Sequence, residues 1–248
     1  MSELTALETA RRIAGPIGEI GGKWMLSPEV LGPSKDYGYP NGFAYYAVGR
    51  GGVLGDVDAG VVIAAFGFFE PGLVRKMWDI GAAVEGPRAS ARRYGQACAE
   101  FGREHLSEFA NADRFVELAD HLVDGASVVG LPLFAGWRAE QRPRFTAGRA
   151  YFLAHVLREW RGSAHVVAAA ASGLSPLEAI LTQGGVDRAK MFGWGESFDD
   201  VGHLVDQRAD AELSTDRICA AALDSLFTAA ERGEFADLVD ELKASFVA

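Results

Sequence analysis

The segment LREWRGSAHVVAAAASGLSPLEAI, residues 157–180, joins a charged start to a long apolar run and then to a second helix start. A helix over residues 146–172 has apolar residues on nearly every side, and such a helix is buried. Gly173 suits the left-handed conformation that ends it. SPLE, residues 175–178, is a capping box with proline at the first helical position. Two helices around a glycine-centred turn are typical of a helix-turn-helix and also of other helical hairpins, and of these we predict a degenerate helix-turn-helix near residues 160–195.

Most of the remaining chain has the three-to-four spacing of amphipathic helices. This spacing is clear in residues 87–110 and 112–130, where apolar residues recur on one face. The glycine- and proline-rich first 86 residues favour short helices between irregular loops. Towards the C-terminal end, Ser197 and Ser214 are predicted N-caps. The predicted helices lie near 198–213, 216–231 and 234–246, and Gly233 separates the last two.

The predicted fold class is all-α, a compact multi-helix domain. With 49% hydrophobic residues the chain has ample material for a buried core, and it contains no internal repeat or low-complexity segment. We therefore predict a single helical unit over residues 1–248. Two lobes, residues 1–130 and 131–248, remain an alternative, because two prolines interrupt the helical pattern in LPLFAGWRAEQRPR at 131–144.

The charge balance argues against a nucleic-acid partner. Lys and Arg total 24 against 34 Asp and Glu, and the net charge of −10 repels phosphate backbones. The start MSELTALETARRIAG lacks the basic end and apolar run of a signal peptide, and the apolar stretch 61–69 is too short to span a bilayer. We therefore expect a cytoplasmic protein with no nucleic-acid partner and no membrane partner.

Familiar cofactor and metal motifs do not fit this chain. The glycines of GRGGVLG, residues 49–55, fail the dinucleotide pattern GxGxxG, because Leu54 stands where the third glycine is required. Cys98 and Cys219 lie far apart without metal-ligand spacing, so both are expected to be small core residues. The sequence predicts no metal site and no cofactor.

Several separated stretches resemble the actinobacterial SalK-like helix-turn-helix family. They are GFAYYAVGRGGVLG at 42–55, VVIAAFGFFEPGLVRKMW at 61–78, LFAGW at 133–137 and the run at 156–180. The most specific of them is similar to the family's L-R-E-H-R-G-x-x-H, and its matching residues here are Leu157, Arg158, Glu159, Arg161, Gly162 and His165. The resemblance implies a helical fold more firmly than it implies an activity.

The chain departs from the family pattern at three places. Trp160 stands where the family commonly has histidine, and Glu70 stands where histidine is expected in F-x-x-F-H-P. After Gly193-Trp194 members usually continue into a recognition-type helix and a wing, whereas this chain passes to a short acidic segment. The resemblance therefore implies a divergent member with a shortened C-terminal winged-helix part.

The charged start of the opening segment defines a candidate site. On a buried helix, Arg158 and Glu159 lose water at a cost of several kcal/mol per unpaired ion, so each requires a partner. One interpretation is a buried structural network. The other is a ridge that lines a pocket, in which Arg158 or Arg161 holds an anionic or carbonyl group and His165 or Glu159 moves a proton.

The candidate residues follow from the second interpretation. The candidate catalytic residues are His165, Glu159 and Arg158. The candidate substrate-binding residues are Arg161, His155, Trp160, Glu70, Tyr46, Phe69 and Trp137. For Glu70 we favour a capping role at a helix N-terminus over an inward general base.

These observations favour a small-molecule-binding protein. We expect a cofactor-independent enzyme of specialised metabolism that performs cyclisation, elimination or isomerisation by acid-base or electrostatic catalysis. The alternative is a ligand-responsive transcriptional regulator in which SGLSPLEAI, residues 172–180, works as a helix-turn-helix. A third hypothesis is a structural partner without a ligand. The expected partner is a small-molecule ligand or substrate, and a homodimer is left open.

Overall fold

The computed structural model describes residues 3–106 and 108–247, and within these ranges all regular structure is helical. The all-α prediction is therefore confirmed. The helices are α1 (Ala6–Lys23), α2 (Pro28–Leu31), α3 (Gly42–Gly51), α4 (Ala59–Phe66), α5 (Pro71–Glu85), α6 (Pro87–His105), α7 (Ala112–Gly125), α8 (Pro132–Ala139), α9 (Thr146–Ala171), α10 (Pro176–Met191), α11 (Val205–Leu226) and α12 (Ala229–Ala244).

Helix α9 is the central element, and α1, α6, α7, α8 and α11 pack around it. Residues 150–157 are buried without interruption, as the apolar pattern on every side of this helix predicts. Beyond residue 157 the burial becomes intermittent, and part of the helix surface remains accessible. The surrounding helices therefore enclose the first half of α9 more completely than its second half.

Helices α9 and α10 form the predicted helix-turn-helix. Residues 172–175 form the turn, and Gly173 has the positive φ of +79° that few other residues adopt. Ser175 and Glu178 make both hydrogen bonds of the capping box. Helices α9 and α10 meet at 116°, within the ~90–120° range of helix-turn-helix pairs. The backbone of Gly185 is non-helical, with φ 68° and ψ −166°, so α10 has a break at this residue.

The predicted boundaries near the end of the chain are wrong. Ser214 lies inside α11 and Gly233 inside α12, while Ser197 precedes α11 by several residues. The chain is extended at Phe227, and Thr228 with Glu231 then forms the capping box of α12. Burial of α11 and α12 against the rest of the core outweighs the weak local preference of one serine or one glycine.

The first 86 residues contain longer helices than predicted. α1 has 18 residues and α5 has 15, whereas α2 and α4 are short. The buried residues Ile13, Ile17 and Ile20 form an apolar stripe on α1, which packs against α9, α11 and α12. This packing keeps α1 continuous through Pro16, a residue that disfavours a helix interior.

Helices from both proposed lobes contact one another. α1 and α6 belong to residues 1–130, and both pack against α9, which belongs to residues 131–248. The division into lobes stays a prediction.

No single helix of the described ranges is both long enough and apolar enough to cross a membrane. α9 and α10 together reach that apolarity, but they are bent at 116° and α9 is largely buried in the core.

Candidate functional site

A cleft of about 650 Å³ lies along the second half of α9, within the ~300–1,000 Å³ range of small-molecule sites. Part of its wall is apolar, including Met25, Leu26, Phe66, Phe68, Phe69, Leu133, Ile180 and Phe192. The other part is charged, with Glu19, Lys23, Arg50, Arg158, Arg161, Arg188 and Glu212. The cleft therefore offers both apolar surface and polar anchoring groups to a ligand.

Glycine residues, which have no side chain, help to keep this cleft open. Gly15 and Gly18 on α1 line it, and a Cβ atom added at either position would meet nothing within 4 Å. The same holds for Gly162 on α9. At Gly21, by contrast, a Cβ atom would lie 2.5 Å from the carbonyl oxygen of Ala154. The two helices therefore touch near Gly21, and the open space begins along the glycine face of α1.

Glu159 is completely buried and forms a bidentate ion pair with Arg50 of α3. The two N–O distances, Nε to Oε1 and Nη2 to Oε2, are both 2.9 Å. Arg158 Nη1 donates a further hydrogen bond of 2.8 Å to Oε1. Burial alone would raise the pKa of Glu159, but the charges of Arg50 and Arg158 lower it to about 2. Glu159 is thus a carboxylate held between two guanidinium groups.

A second ion-pair cluster joins α9 to α11. Arg161 Nη2 donates to Glu212 Oε2 at 2.8 Å and to Asp216 Oδ1 at 3.3 Å. Arg208 binds the other oxygen of Glu212. Burial alone would lower the pKa of Arg161, but its hydrogen bond to Glu212 raises it. This cluster fixes α11 beside the cleft.

His165 connects this cluster to the core of α11. Arg208 Nη1 lies 3.0 Å from His165 Nε2, and His165 Nδ1 lies 2.9 Å from Thr215 Oγ1. Burial lowers the pKa of His165 to about 4, so the ring is neutral near pH 7. Because a guanidinium only donates, Nε2 is the acceptor and Nδ1 carries the proton. Both ring nitrogens therefore have partners.

The comparison with known proteins agrees with the bent α9–α10 pair. The model of a family described as a helix-turn-helix family matches residues 10–248. The chain belongs to this helix-turn-helix family. No curated protein and no solved structure gives a significant match to it. Family membership accounts for the fold, and any activity must be argued from the site of this helix-turn-helix protein itself.

The second helix of the motif contributes an arginine to the cleft. Arg188 makes no hydrogen bond and no ion pair with any described residue, and its guanidinium lies 5.7 Å from the ring centre of Phe192. A Cβ atom at position 184 would lie 2.2 Å from Arg188 Cδ, so the glycine there allows this side-chain position. Desolvation, and then the like charges of Arg158 and Arg208, lower the pKa of Arg188.

Five of the residues predicted for the site line the cleft. They are Tyr46, Phe69, Arg158, Arg161 and His165. Glu159 lies behind them, where it pairs with Arg50. The polar residues of α9 therefore do not form one ridge, because they point to different neighbouring helices. Their proposed roles in catalysis and substrate binding stay predictions.

Four other predicted site residues are not cleft-lining residues. His155 is fully buried, with ring centres 5.0 Å from Trp24 and 4.6 Å from Trp137, and its Nδ1 lies 3.2 Å from the carbonyl oxygen of Gly21. Burial lowers the pKa of His155 to about 4. Trp137 thus belongs to this aromatic cluster, and Trp160 is buried with its ring centre 6.5 Å from that of Phe134.

Glu70 is the fourth of these residues. Its carboxylate accepts hydrogen bonds from the backbone N–H of Gly72 at 2.8 Å and of Leu73 at 2.5 Å. Glu70 is therefore the N-cap of α5, and the favoured capping role is confirmed.

Sequence reasoning missed Arg50, Arg188, Arg208 and Glu212. Arg50 lies in the glycine-rich stretch 49–55, which was compared with a nucleotide-binding loop and with a family segment but was not considered as an ion-pair site. A lone arginine among apolar and glycine residues in AYYAVGRGG was nevertheless a signal, because a buried guanidinium requires a buried carboxylate. Arg208 and Glu212 gave no comparable signal, since an i,i+4 charged pair is common on exposed helices.

Within the described ranges, the cleft does not bring three histidine, cysteine or carboxylate side chains close enough together to hold a metal ion. Elsewhere in the structure, three side chains of types that bind metals lie close together: Glu29, Glu104 and His105. His105 already contacts the carbonyl oxygen of Val247 at 2.6 Å and Glu29 at 3.2 Å. This group is separate from the cleft and its side chains are partly exposed to water.

Proposed function

We propose that this helix-turn-helix protein binds a small molecule in the cleft along α9. The observation that carries the proposal is that both helices of the motif line the cleft. Gly162 and His165 come from α9, while Ile180, Gln183 and Arg188 come from α10. A bound molecule would therefore contact both helices and stabilise their relative position.

Two unsatisfied polar groups support a binding role. Ser163 lines the cleft and is only 5% exposed, yet its Oγ makes no hydrogen bond within the described ranges. The Nε of Arg161 is also buried without a partner there. Native structures leave few such groups unpaired, and a ligand or an ordered water is the usual partner. The cleft wall thus offers further hydrogen-bonding groups.

The contacts of the predicted catalytic residues favour binding over acid-base catalysis. The lone pair of His165 Nε2 accepts a hydrogen bond from Arg208, and Glu159 is a carboxylate of low pKa between two arginines. Neither group is a free proton acceptor near pH 7. The cofactor-independent enzyme of specialised metabolism stays a prediction.

The finer family assignment is also a proposal. The stretch from Leu157 to His165 supports a place in the actinobacterial SalK-like branch, as a divergent member with tryptophan at position 160. A cytoplasmic location and a homodimer likewise stay predictions.

A ligand-responsive transcriptional regulator is the second candidate function. The 116° angle and the residue 172–175 turn favour it. Its difficulty is charge, because residues 176–184 contain no Lys or Arg, and the protein has a net charge of −10. We therefore propose that the motif is a wall of the binding site, and expect no specific duplex binding at physiological salt. A gel shift at sub-micromolar protein with a steep salt dependence would favour the regulator instead.

The binding proposal can be tested by filling the cleft. Gly162→Phe places a large side chain where the added Cβ atom meets nothing within 4 Å. Gly60→Phe is the matched control, because Gly60 is a helical glycine with the same open space outside the cleft. The neutral solvatochromic dye prodan serves as the probe, and its binding is followed by fluorescence.

We expect saturable one-to-one binding of prodan to the unmodified protein and to Gly60→Phe, and about tenfold weaker binding to Gly162→Phe. Thermal melts establish that both variants are folded. Equal binding of prodan to the folded Gly162→Phe variant would contradict the proposal, and so would the absence of binding to the unmodified protein.

A further inference from the structure

We infer that the ligand of the cleft is an amphipathic anion, whose carboxylate or phosphate group binds Arg188 and Arg158 while its apolar body packs on the phenylalanine wall. The inference rests on the proposed function, since it names the class of molecule that enters the same cleft. It goes further because it assigns the charge of the ligand and the side chains that recognise it.

The charge around the cleft is opposite to that of the protein. Five arginines and Lys23 lie in or beside it, and Glu19 and three further carboxylates neutralise part of their charge. The arginines are Arg50, Arg158, Arg161, Arg188 and Arg208, and the carboxylates paired with arginines are Glu159, Glu212 and Asp216. The whole chain has a net charge of −10, so this local excess of positive charge attracts an anion into the cleft.

The pairing within the cleft leaves Arg188 and Arg158 with free donors. Arg50 donates from all three of its nitrogens, to Glu159 and to Tyr46. Arg161 and Arg208 share Glu212, and the buried Nε of Arg161 is left without a partner within the described ranges. Arg158 donates one hydrogen bond, to Glu159, and Arg188 donates none within the described ranges. A guanidinium has five N–H donors in a planar fork that matches a carboxylate or phosphate. These two side chains therefore have the capacity to bind an anionic group.

Two glycines place these arginines at the cleft. A Cβ atom at Gly22 would lie 3.0 Å from Arg158 Nε, so the guanidinium of Arg158 rests directly on α1. Gly184 accommodates the side chain of Arg188 in the same way. Desolvation, and then the charges of Arg158 and Arg208, lower the pKa of Arg188, as expected for like charges held near one another.

The phenylalanine side chains of the cleft determine the rest of the ligand. Phe66, Phe68, Phe69 and Phe192 line the cleft together with Leu133. An inorganic ion would leave this apolar surface in water, whereas a hydrocarbon or aromatic body would bury it. The combination of free arginines and an aromatic wall therefore favours an amphipathic anion over a simple ion.

Charge selectivity tests the inference. Four probes share a naphthalene body and differ in the attached group: 1-naphthylacetate, 1-naphthyl phosphate, 1-naphthalenemethanol and 1-naphthylmethylammonium. Their dissociation constants are measured by isothermal titration calorimetry at fixed salt. We expect at least one of the two anions to bind about tenfold or more tightly than the alcohol, and the cation to bind more weakly than the alcohol. The difference between the two anions identifies the preferred headgroup.

Substitution of arginine then locates the anionic group. Arg188→Gln is expected to weaken binding of the preferred anion by about tenfold or more, and binding of the alcohol by less than about twofold. Arg75→Gln is the matched control, because Arg75 is an exposed arginine outside the cleft. Gly184→Ala is a positioning variant, and it is expected to weaken the anion specifically because the added methyl group displaces the Arg188 side chain.

The outcomes separate this inference from the proposed function. If prodan binds and Gly162→Phe blocks it, but the alcohol binds as tightly as both anions, the cleft is a binding site and the inference is wrong. Unchanged anion affinity in a folded Arg188→Gln variant also overturns it. If Gly162→Phe has no effect on prodan, the proposed function itself fails.

Discussion

The two halves of α9 carry one buried histidine each, in opposite surroundings. His155 lies in the enclosed half between two tryptophan rings, with one hydrogen bond to a backbone carbonyl. His165 lies in the half that borders the cleft, with hydrogen bonds to Thr215 and Arg208. Burial lowers both pKa values to about 4. A low histidine pKa is therefore common to a packed aromatic core and to a polar network, and only the neighbours distinguish them.

The difference between the halves comes from the approach of α1. At Gly21 the backbones of α1 and α9 are in contact, and residues 150–157 are completely buried. At Gly18 and Gly15 there is open space, and charged residues of α9 occupy the border of that space. One continuous helix thus serves as a core element at one end and as a wall of a cleft at the other.

The largest expected effect lies at the boundary between the halves. Glu159→Gln leaves Arg50 as a buried charge without its carboxylate, and should lower the free energy of unfolding by about 3–5 kcal/mol. Arg158→Gln should cost about 1 kcal/mol or less, because this side chain is 27% exposed and Glu159 keeps Arg50. Chemical denaturation near pH 7 measures both. Equal losses in the two variants would contradict the assignment of Arg50 as the principal partner.

The second prediction concerns the stability of the protein at acidic pH. The pKa of His155 falls from 6.5 to about 4 on folding, so the unfolded chain takes up a proton that the folded chain excludes. Stability should therefore fall as the pH drops from 6.5 towards 4, by about 3 kcal/mol for a shift of this size.

His155→Phe tests this contribution, because the enclosed aromatic site can hold a ring without a titrating group. Its unfolding free energy should depend less on pH between 6.5 and 4 than that of the unmodified protein. Glu159 affects stability at lower pH values. Its stabilising contribution is present above its unfolded pKa of 4.5 and is lost as the pH falls through about 2. An unchanged slope between pH 6.5 and 4 in His155→Phe would count against the prediction.

The smallest predicted effects have opposite signs in the two halves. Gly21→Ala forces a methyl group against the backbone of Ala154 and should destabilise the protein by about 1–3 kcal/mol. Gly162→Ala places the same group in open space and should stabilise it by about 0.5–1 kcal/mol, because alanine favours a helix interior more than glycine does. Thermal or chemical unfolding measures both changes in stability. Destabilisation by both substitutions would contradict the open space between α1 and the second half of α9.

Local signals made much of the fold predictable. The bounds of α9, the left-handed Gly173 and the capping box at Ser175 depend on a few adjacent residues, so the sequence alone indicated them. The boundaries of α11 and α12 were not predictable in this way. Ser214 resembles an N-cap, but packing of α11 carries the helix past it, and tertiary contacts have no signature at a single serine.

The site was predictable only in part. Burial of Glu159 follows from the apolar pattern of α9, and the need for a partner follows from its charge. The identity of that partner does not, because Arg50 is 109 residues away in sequence and only the folded arrangement brings the two side chains together. The open space beside Gly162 was also beyond sequence reasoning, since a glycine that borders a cavity and one that permits close packing look alike in a sequence.

The position of α1 also has a consequence for synthesis on the ribosome. Its apolar stripe packs on α9, α11 and α12, and the last two begin about 180 and about 205 residues after α1 ends. At a synthesis rate of ~5–20 residues per second, roughly 10–40 s pass between the synthesis of the stripe residues Ile13, Ile17 and Ile20 and that of the helices they contact. We therefore expect the nascent N-terminal helix to bind a chaperone such as a holdase, and the chain to fold completely only after α12 has left the exit tunnel.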